Sequence, residues 1–271
     1  MKSGTSCWKS FANPGSWMAR RLRTILVVIP AHNEERYILD CLEAVDRSKL
    51  NLQAVCPGIA VHTMVVLDTC TDSTAQRASD FAATHPGYFA HHVNFGNVGA
   101  TRAFGIAQGL NRLPGPHGTS ETWIACTDAD TRVPENWLKE FAVAYLGGAD
   151  AVTGTVEPDR VELAPQLYRQ WRERYVLAPH HPHIHGANLG VSATAYLQVG
   201  GFKTLAAHED VELVARLRRR GYRVVATDQL HAVTSGRLEG RLKSGFADYL
   251  SALAGETGTC ADNSLDTIRA G

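Results

Sequence analysis

The sequence predicts an α/β fold: one Rossmann-like domain with a mostly parallel central sheet and helices on both faces. Three observations predict it. Apolar, β-rich runs alternate with amphipathic stretches four times between residues 24 and 130, the pattern of a parallel sheet built from strand–helix units. The first of these runs, Thr24–Ile29, is apolar almost throughout, as a strand buried on both faces must be. A later run, Trp123–Cys126, stops at two aspartates one residue apart, Asp128 and Asp130, and Pro134 then opens a helical stretch. The carboxyl edge of such strands is where open α/β sheets place their ligands.

Taken in order, Thr24–Ile29 is the first strand, broken by Pro30-Ala-His-Asn33. Glu34–Val45 continues as an amphipathic helix with Ile38, Leu39, Leu42 and Val45 on one side, and 51–58 connects. Val61–Leu67 is the second strand. Asp68-Thr-Cys-Thr-Asp-Ser-Thr74 follows, rich in turn and capping residues, with a helix expected to about Ala83. Tyr88–Val93 is the third strand, Asn94–Gly99 a glycine-bearing loop and Gly99–Leu110 a helix.

The second half is less regular. Ala149–Thr155 reads as a strand and Leu163–Val176 as a helix, with Leu167, Trp171 and Tyr175 four apart. Pro179–His185 is a loop, Gly186–Ser192 a small-residue strand and Ala195–Val199 a short helix. Glu209–Arg220 is helical, Tyr222–Thr227 a strand and Arg237–Ala254 a last helix. The domain is therefore expected over 24–254, with a nucleotide-binding half at 24–130 and an acceptor half at 131–254. Residues 1–23 read as a flexible leader and 255–271 as a flexible tail.

Composition narrows the function. The 27 basic and 27 acidic side chains balance, so nothing global points to nucleic acid or an acidic membrane. No apolar run is long enough to cross a bilayer, although the leader's aromatics leave room for peripheral membrane contact. The six cysteines show no Cys-x-x-Cys spacing, which favours a reduced, cytoplasmic protein.

At the strand edge, Asp128 and Asp130 suit a divalent cation shared with phosphate oxygens, because Mg²⁺ takes one or two carboxylates plus substrate phosphates. Turn formation and helix capping are the plainer use of the same residues. Arg102 follows Gly99 at a helix start, where a guanidinium and helix N–H groups can approach a diphosphate; a solvated helix arginine is the alternative. Glu34 sits in a first helical turn, where it also complements the dipole. Asp72 reads as a helix cap. Asp210 opens a helix whose apolar positions Leu213, Val214 and Leu217 put its carboxylate on the buried-facing side.

Five blocks in order resemble the family 2 glycosyltransferases, nucleotide-sugar-dependent enzymes of the GT-A fold. They are Val28-Ile-Pro-Ala-His-Asn-Glu34, Leu67–Thr74, Asn97-Val-Gly-Ala-Thr-Arg102, Asp128-Ala-Asp130 and His208-Glu-Asp210, and the likeness extends over about residues 24–250. The resemblance implies a hexosyltransferase-like enzyme moving a sugar to an acceptor hydroxyl, with inversion and by single addition. It implies a nucleotide pocket lined by Pro30, Ala31 and Glu34, with Asp68 reading the base edge, Arg102 on the diphosphate and Asp128 on ribose or metal. Asp130, in a DXD motif, would hold Mg²⁺ or Mn²⁺. His231 would be a third metal ligand, or else a structural histidine. Asp210 would be the general base, with Glu209 positioning the acceptor. A UDP-sugar is the first expectation for the donor; the family's paired Asp-Asp is Leu67-Asp68 here, so the base stays open. The acceptor is unknown.

Two other readings compete. A sugar-phosphate nucleotidyltransferase would want a basic, glycine-rich loop after the first strand, where this chain has Pro-Ala-His-Asn-Glu. A non-catalytic nucleotide-sugar-binding module would have lost one of the carboxylate sets, and both are present. Processive synthases carry a Gln-x-x-Arg-Trp block after the base, which is lacking here. The histidines at 180, 181, 183 and 185 could bind zinc, but lie in one proline-bounded loop without partner cysteines and read rather as an acceptor-side flexible loop.

Overall fold

The computed structural model describes residues 20–113, 118–239 and 245–262. Eight strands form one sheet in the order β3-β2-β1-β4-β7-β6-β8-β5. β1 (Thr24–Ala31), β2 (Ala60–Asp68), β3 (Tyr88–Val93) and β4 (Thr122–Cys126) make the parallel half, each pair aligned without a bulge. β7 (Leu189–Ser192) runs antiparallel to both β4 and β6 (Ala151–Pro158). β8 (Val224–Thr234) lies parallel to β6, and β5 (Thr131–Arg132) closes the far edge. This is the α/β architecture the alternation predicts.

Period-2 alternation along β1 feeds two cores. Ile25, Val27 and Ile29 face one side with Ile38, Leu42 and Val45 of α1 (Ile38–Val55) and Trp137 and Phe141 of α4 (Trp137–Leu146). Leu26 and Val28 face the other, with Ile106 of α3 (Val98–Leu110), Tyr196 of α6 (Ala193–Gln198) and Leu213 and Leu217 of α7 (Glu209–Arg219). α2 (Thr74–Thr84) covers the β2–β3 edge. A third cluster joins Trp171 of α5 (Pro165–Arg174) to Leu250 and Leu253 of α8 (Phe246–Asp262), next to Tyr175 and Val156.

Several boundaries differ from expectation for identifiable reasons. α1 continues ten residues past Val45 because Leu52 and the hydroxyl of Ser48 stay on its buried face, Ser48 accepting from the Leu138 N–H at 3.0 Å. α4 starts at Trp137 because Thr131 and Arg132 first pair with β8, leaving Pro134 in the intervening turn. β8 extends to Thr234 through the polar pair Asp228-Gln229, which hid it as a strand. Arg237 is not helical, and the last helix begins nine residues later and runs to Asp262. The rest of the expected tail, 263–271, lies outside the described residues.

Most of the expected leader, 1–19, also lies outside them, but its last residues belong to the domain. Arg20 pairs with Asp150 at 2.7 Å and donates to the Ala149 carbonyl, and Leu22 is buried. Cys41, Cys70 and Cys126 are free thiols. Among the described residues, no helix is long and apolar enough to cross a membrane.

Candidate active site

The carboxyl edges of β1, β2 and β4 collect the acidic residues. Pro30 and Ala31 are themselves buried inside β1, in register with Val66 and Leu67. They carry the turn that follows. That turn is constrained: Asn33 and Thr69 both have left-handed backbones, at φ 51° and 53°, and Asn33 Oδ1 accepts from the Thr71 N–H at 2.7 Å. Asp72 accepts from the Thr74 N–H at 2.9 Å, the cap-like role read from the sequence.

Asp68 does not reach outward as a base reader would. It is 5% exposed, and its two oxygens accept from the N–H groups of Phe95, Gly96 and Asn97 and the hydroxyls of Thr69 and Thr101, at 2.7–3.2 Å. Burial works to raise its pKa, but these donors outweigh it and hold the carboxyl below its ordinary value. In this arrangement the carboxylate is engaged by the loop it pins. That loop starts α3, capped by Asn97, which accepts from the Ala100 N–H at 2.9 Å and donates to the Leu205 carbonyl at 2.7 Å.

One turn into α3, Arg102 is 3% exposed and clamped between two acids. It donates to Asp128 at 2.5 Å and to Glu209 on α7. The guanidinium pairs with both carboxylates. Burial disfavours its charge, yet Asp128 and Glu209 more than offset this and raise its pKa. Gly186 is required at this point: a Cβ there would lie 2.5 Å from an Arg102 nitrogen.

Asp130 belongs to a second arginine system. Arg237, just beyond β8, donates to Asp130 at 2.7 Å and grips both oxygens of Glu34 at 2.8 Å each. Ser235 adds a hydroxyl to Asp130 at 3.0 Å. Burial raises the pKa of Asp130, Arg237 opposes it, and Asp128 adds to it. Asp128 is raised in the same way by burial, with Arg102 opposing and Glu209 and Asp210 adding.

Two carboxylates on one turn, Asp128 and Asp130, are the kind of oxygen donors a divalent cation takes. Phosphate and water would have to complete the shell. His231 takes no part. Its Nε2 meets Glu157 at 2.5 Å and its Nδ1 meets Thr155 at 2.9 Å, four residues of strand from Ser235. Both ring nitrogens of His231 are thus engaged by neighbouring strand residues, as a structural histidine's would be.

Asp210 sits on the first turn of α7, next to Glu209 and after His208, whose left-handed φ of 61° turns the chain into the helix. Its Oδ2 accepts from the Gly186 N–H at 2.6 Å and its Oδ1 from the Val211 N–H at 2.7 Å. Beside it stands an aromatic wall. His183 stacks on Tyr175 with centroids 3.8 Å apart, and His185 lies edge-on to Phe246. Tyr175 accepts from the Val156 N–H, and its hydroxyl also meets His185 Nε2 at 2.8 Å. Burial pushes the His185 pKa down to about 4. The ring nitrogens of His181, His183 and His185 point to separate partners, the first and second being the Thr227 carbonyl and the Val176 N–H. Among the described residues no three His, Cys, Asp or Glu side chains converge on a metal position.

The sequence profile of the family described as "Glycosyl transferase family 2" matches residues 26–192 of the 271. The chain belongs to glycosyl transferase family 2. Its fold is that of the GT-A glycosyltransferases. A Pyrobaculum calidifontis mannosyltransferase, solved with GDP-Man and Mn²⁺, superposes with a TM-score of 0.56 at 19% identity over 82% of this chain and 58% of its own. The S. aureus TarS fragment 1–349 gives 0.55 at 16% identity, over 78% and 60%. The same fragment in complex with UDP gives 0.54 at 16%, over 84% and 69%. This family 2 chain spans about three fifths of the length of the first two.

The sequence reading of this family 2 chain missed Arg237, because Arg237–Ala254 looked like one continuous helix. The signal available was the hydroxyl run Thr234-Ser235 ahead of it, polar residues at the end of a strand and thus at a sheet edge. It also missed that Gly186 is a contact requirement of Arg102, which no local pattern encodes.

Proposed function

We propose that the chain transfers a sugar from a nucleoside diphosphate donor to an acceptor hydroxyl by direct displacement with inversion. The observation carrying this is the joining of both carboxylate sets in one network, Asp128–Arg102–Glu209, with Asp210 next along α7. Family membership supplies the reaction class. The donor is a nucleotide sugar, first expected with uridine; the similar structures were solved with UDP in one case and GDP-Man in another, which keeps the base open.

In the reaction, the bond between the sugar's anomeric carbon and the diphosphate oxygen breaks as a bond to the acceptor oxygen forms. Asp210 takes the acceptor's proton on the carboxylate edge left open by its hydrogen bonds to Gly186 and Val211. Those N–H groups keep the carboxylate oriented. Glu209 fixes the register of α7 through Arg102 and positions the base rather than touching the acceptor. Asp128 and Asp130 would hold Mg²⁺ or Mn²⁺, which supplies Lewis-acid neutralisation of the departing diphosphate. The aromatic wall at Tyr175, His183 and Phe246 borders the acceptor side.

The test pairs calorimetry of UDP and GDP sugars, with Mn²⁺, against transfer rate in wild type and Asp210→Asn. Asn keeps the size, so the donor should bind as before while the rate falls by roughly 10²–10⁴. Full transfer by the variant would remove Asp210 as base, and absence of donor binding in wild type would remove the reading altogether.

A further inference from the structure

Arg237 is bound more tightly than a surface arginine needs to be. It spans three strand edges, joining Glu34 after β1 to Asp130 after β4 from a position just beyond β8. Both of its acidic partners are nearly buried, Glu34 at 7% and Asp130 at 13% side-chain exposure, while Arg237 itself keeps 26%. The Tyr37 ring lies 5.8 Å from the guanidinium. The guanidinium nitrogen lies 2.7 Å from Asp130 Oδ2, on the carboxylate expected to carry a divalent ion. An ion bound to that carboxylate at about 2.0–2.1 Å would stand directly against a second cation. The two cations would compete for the same acid.

The guanidinium has a second natural partner. Its planar fork matches phosphate oxygens as well as it matches a carboxylate pair. A donor held through Asp128 and Asp130 brings its diphosphate to this same turn. We propose that Arg237 is an exchangeable cation of the donor site, holding Asp130 before the donor arrives and passing to the diphosphate when a divalent ion takes Asp130. This rests on the nucleotide-sugar reading given above. It adds a donor-binding residue, and it predicts that metal and nucleotide bind together far better than the metal binds alone.

The experiment measures Mn²⁺ alone, then UDP and GDP at saturating Mn²⁺, by calorimetry on the full chain. Wild type is compared with Arg237→Gln and with the double variant Glu34→Gln/Arg237→Gln, which leaves no buried carboxylate without its partner at position 34. Thermal unfolding checks that each folds. Both variants should bind Mn²⁺ about tenfold or more tighter than wild type without nucleotide, and bind nucleotide about tenfold more weakly with Mn²⁺ present. Unchanged or weaker Mn²⁺ binding in both variants overturns the competition. Tighter Mn²⁺ with unchanged nucleotide affinity overturns the role at the diphosphate. Failure of wild type to bind either nucleotide would count against the glycosyltransferase reading instead, while the Mn²⁺-only comparison still decides whether Arg237 competes.

Discussion

Replacing Arg102 by Met tests whether the donor and base halves are held together by one buried cation. The substitution keeps an unbranched, apolar stem of similar reach and removes the charge. Two carboxylates lose their partner, but unequally: Glu209 is 6% exposed, whereas Asp128 keeps 35% of its side chain in contact with solvent. Breaking a buried pair typically costs about 3–5 kcal/mol, and the exposure of Asp128 places the expected loss near the lower end, at roughly 3 kcal/mol. For a chain of this size that lowers the melting temperature by roughly 6–12 °C.

The loss should depend on pH with a definite sign. Asp128 already titrates above its ordinary value because burial and the neighbouring acids disfavour its charge, and Arg102 is the main opposing influence. Without Arg102 the folded-state value rises further. A carboxyl raised on folding costs nothing while it is protonated in both states. The cost appears as pH climbs above the unfolded value near 4 and is complete once the raised value is passed. Thermal unfolding of wild type and variant at pH 5 and pH 8 should therefore show the larger gap at pH 8. A melting shift under 2 °C, or the same gap at both values, would refute the idea that Arg102 neutralises these acids.

Asp68→Asn should lower stability by about 1.5–3 kcal/mol, since its bonds from Thr101, Gly96 and Phe95 are made to a charged group, and should weaken every nucleotide alike in calorimetry. The wild-type contribution of Asp68 is present above pH 4 and fades as pH falls through its lowered value, so acid titration of the unfolding midpoint should be shallower in the variant; selective loss for one base would restore it as a base reader. Gly186→Ala should cost about 1–3 kcal/mol by forcing Arg102 aside, and should slow transfer more than it weakens the donor; a variant as stable as wild type would mean that the close approach is not needed.

The strand–helix alternation of residues 24–130 was legible because each period was clean: β3 runs over the predicted Tyr88–Val93, and Ile25, Val27 and Ile29 share the face that the alternation implies. The ends of elements were less so. Nothing in Asp46-Arg-Ser-Lys49 announces that α1 continues, because what continues it is a hydroxyl bond from Ser48 to another helix. At the site, residue types and order pointed to Asp128, Asp130, Glu209 and Asp210, and these acids do line one edge. Their partners were not legible. Asp68 looks like a ligand until the N–H groups of Phe95 and Gly96, 27 and 28 residues on, are seen to consume it. Arg237 reaches Glu34 across 203 residues, a separation at which no local pattern carries information.

Charge bears on the proposal that this edge takes a cation beyond its own arginines. The chain as a whole is neutral, with 27 acids and 27 bases. At the edge, Glu34, Asp128, Asp130 and Glu209 pair with Arg102 and Arg237, and Asp210 stands next to Glu209. Burial first and neighbouring acids second raise the values of Asp128 and Asp130 against the arginines that oppose them. A nucleoside diphosphate adds more negative charge to a recess where screening by water is reduced. Binding it therefore requires positive charge to arrive with it or to be redirected toward it. Two carboxylates on one turn provide for the first, and an arginine held by carboxylates rather than buried alone provides for the second. Arg102, fully enclosed between Asp128 and Glu209, is free to do neither, which is why the two arginines have different work although each pairs with two acids.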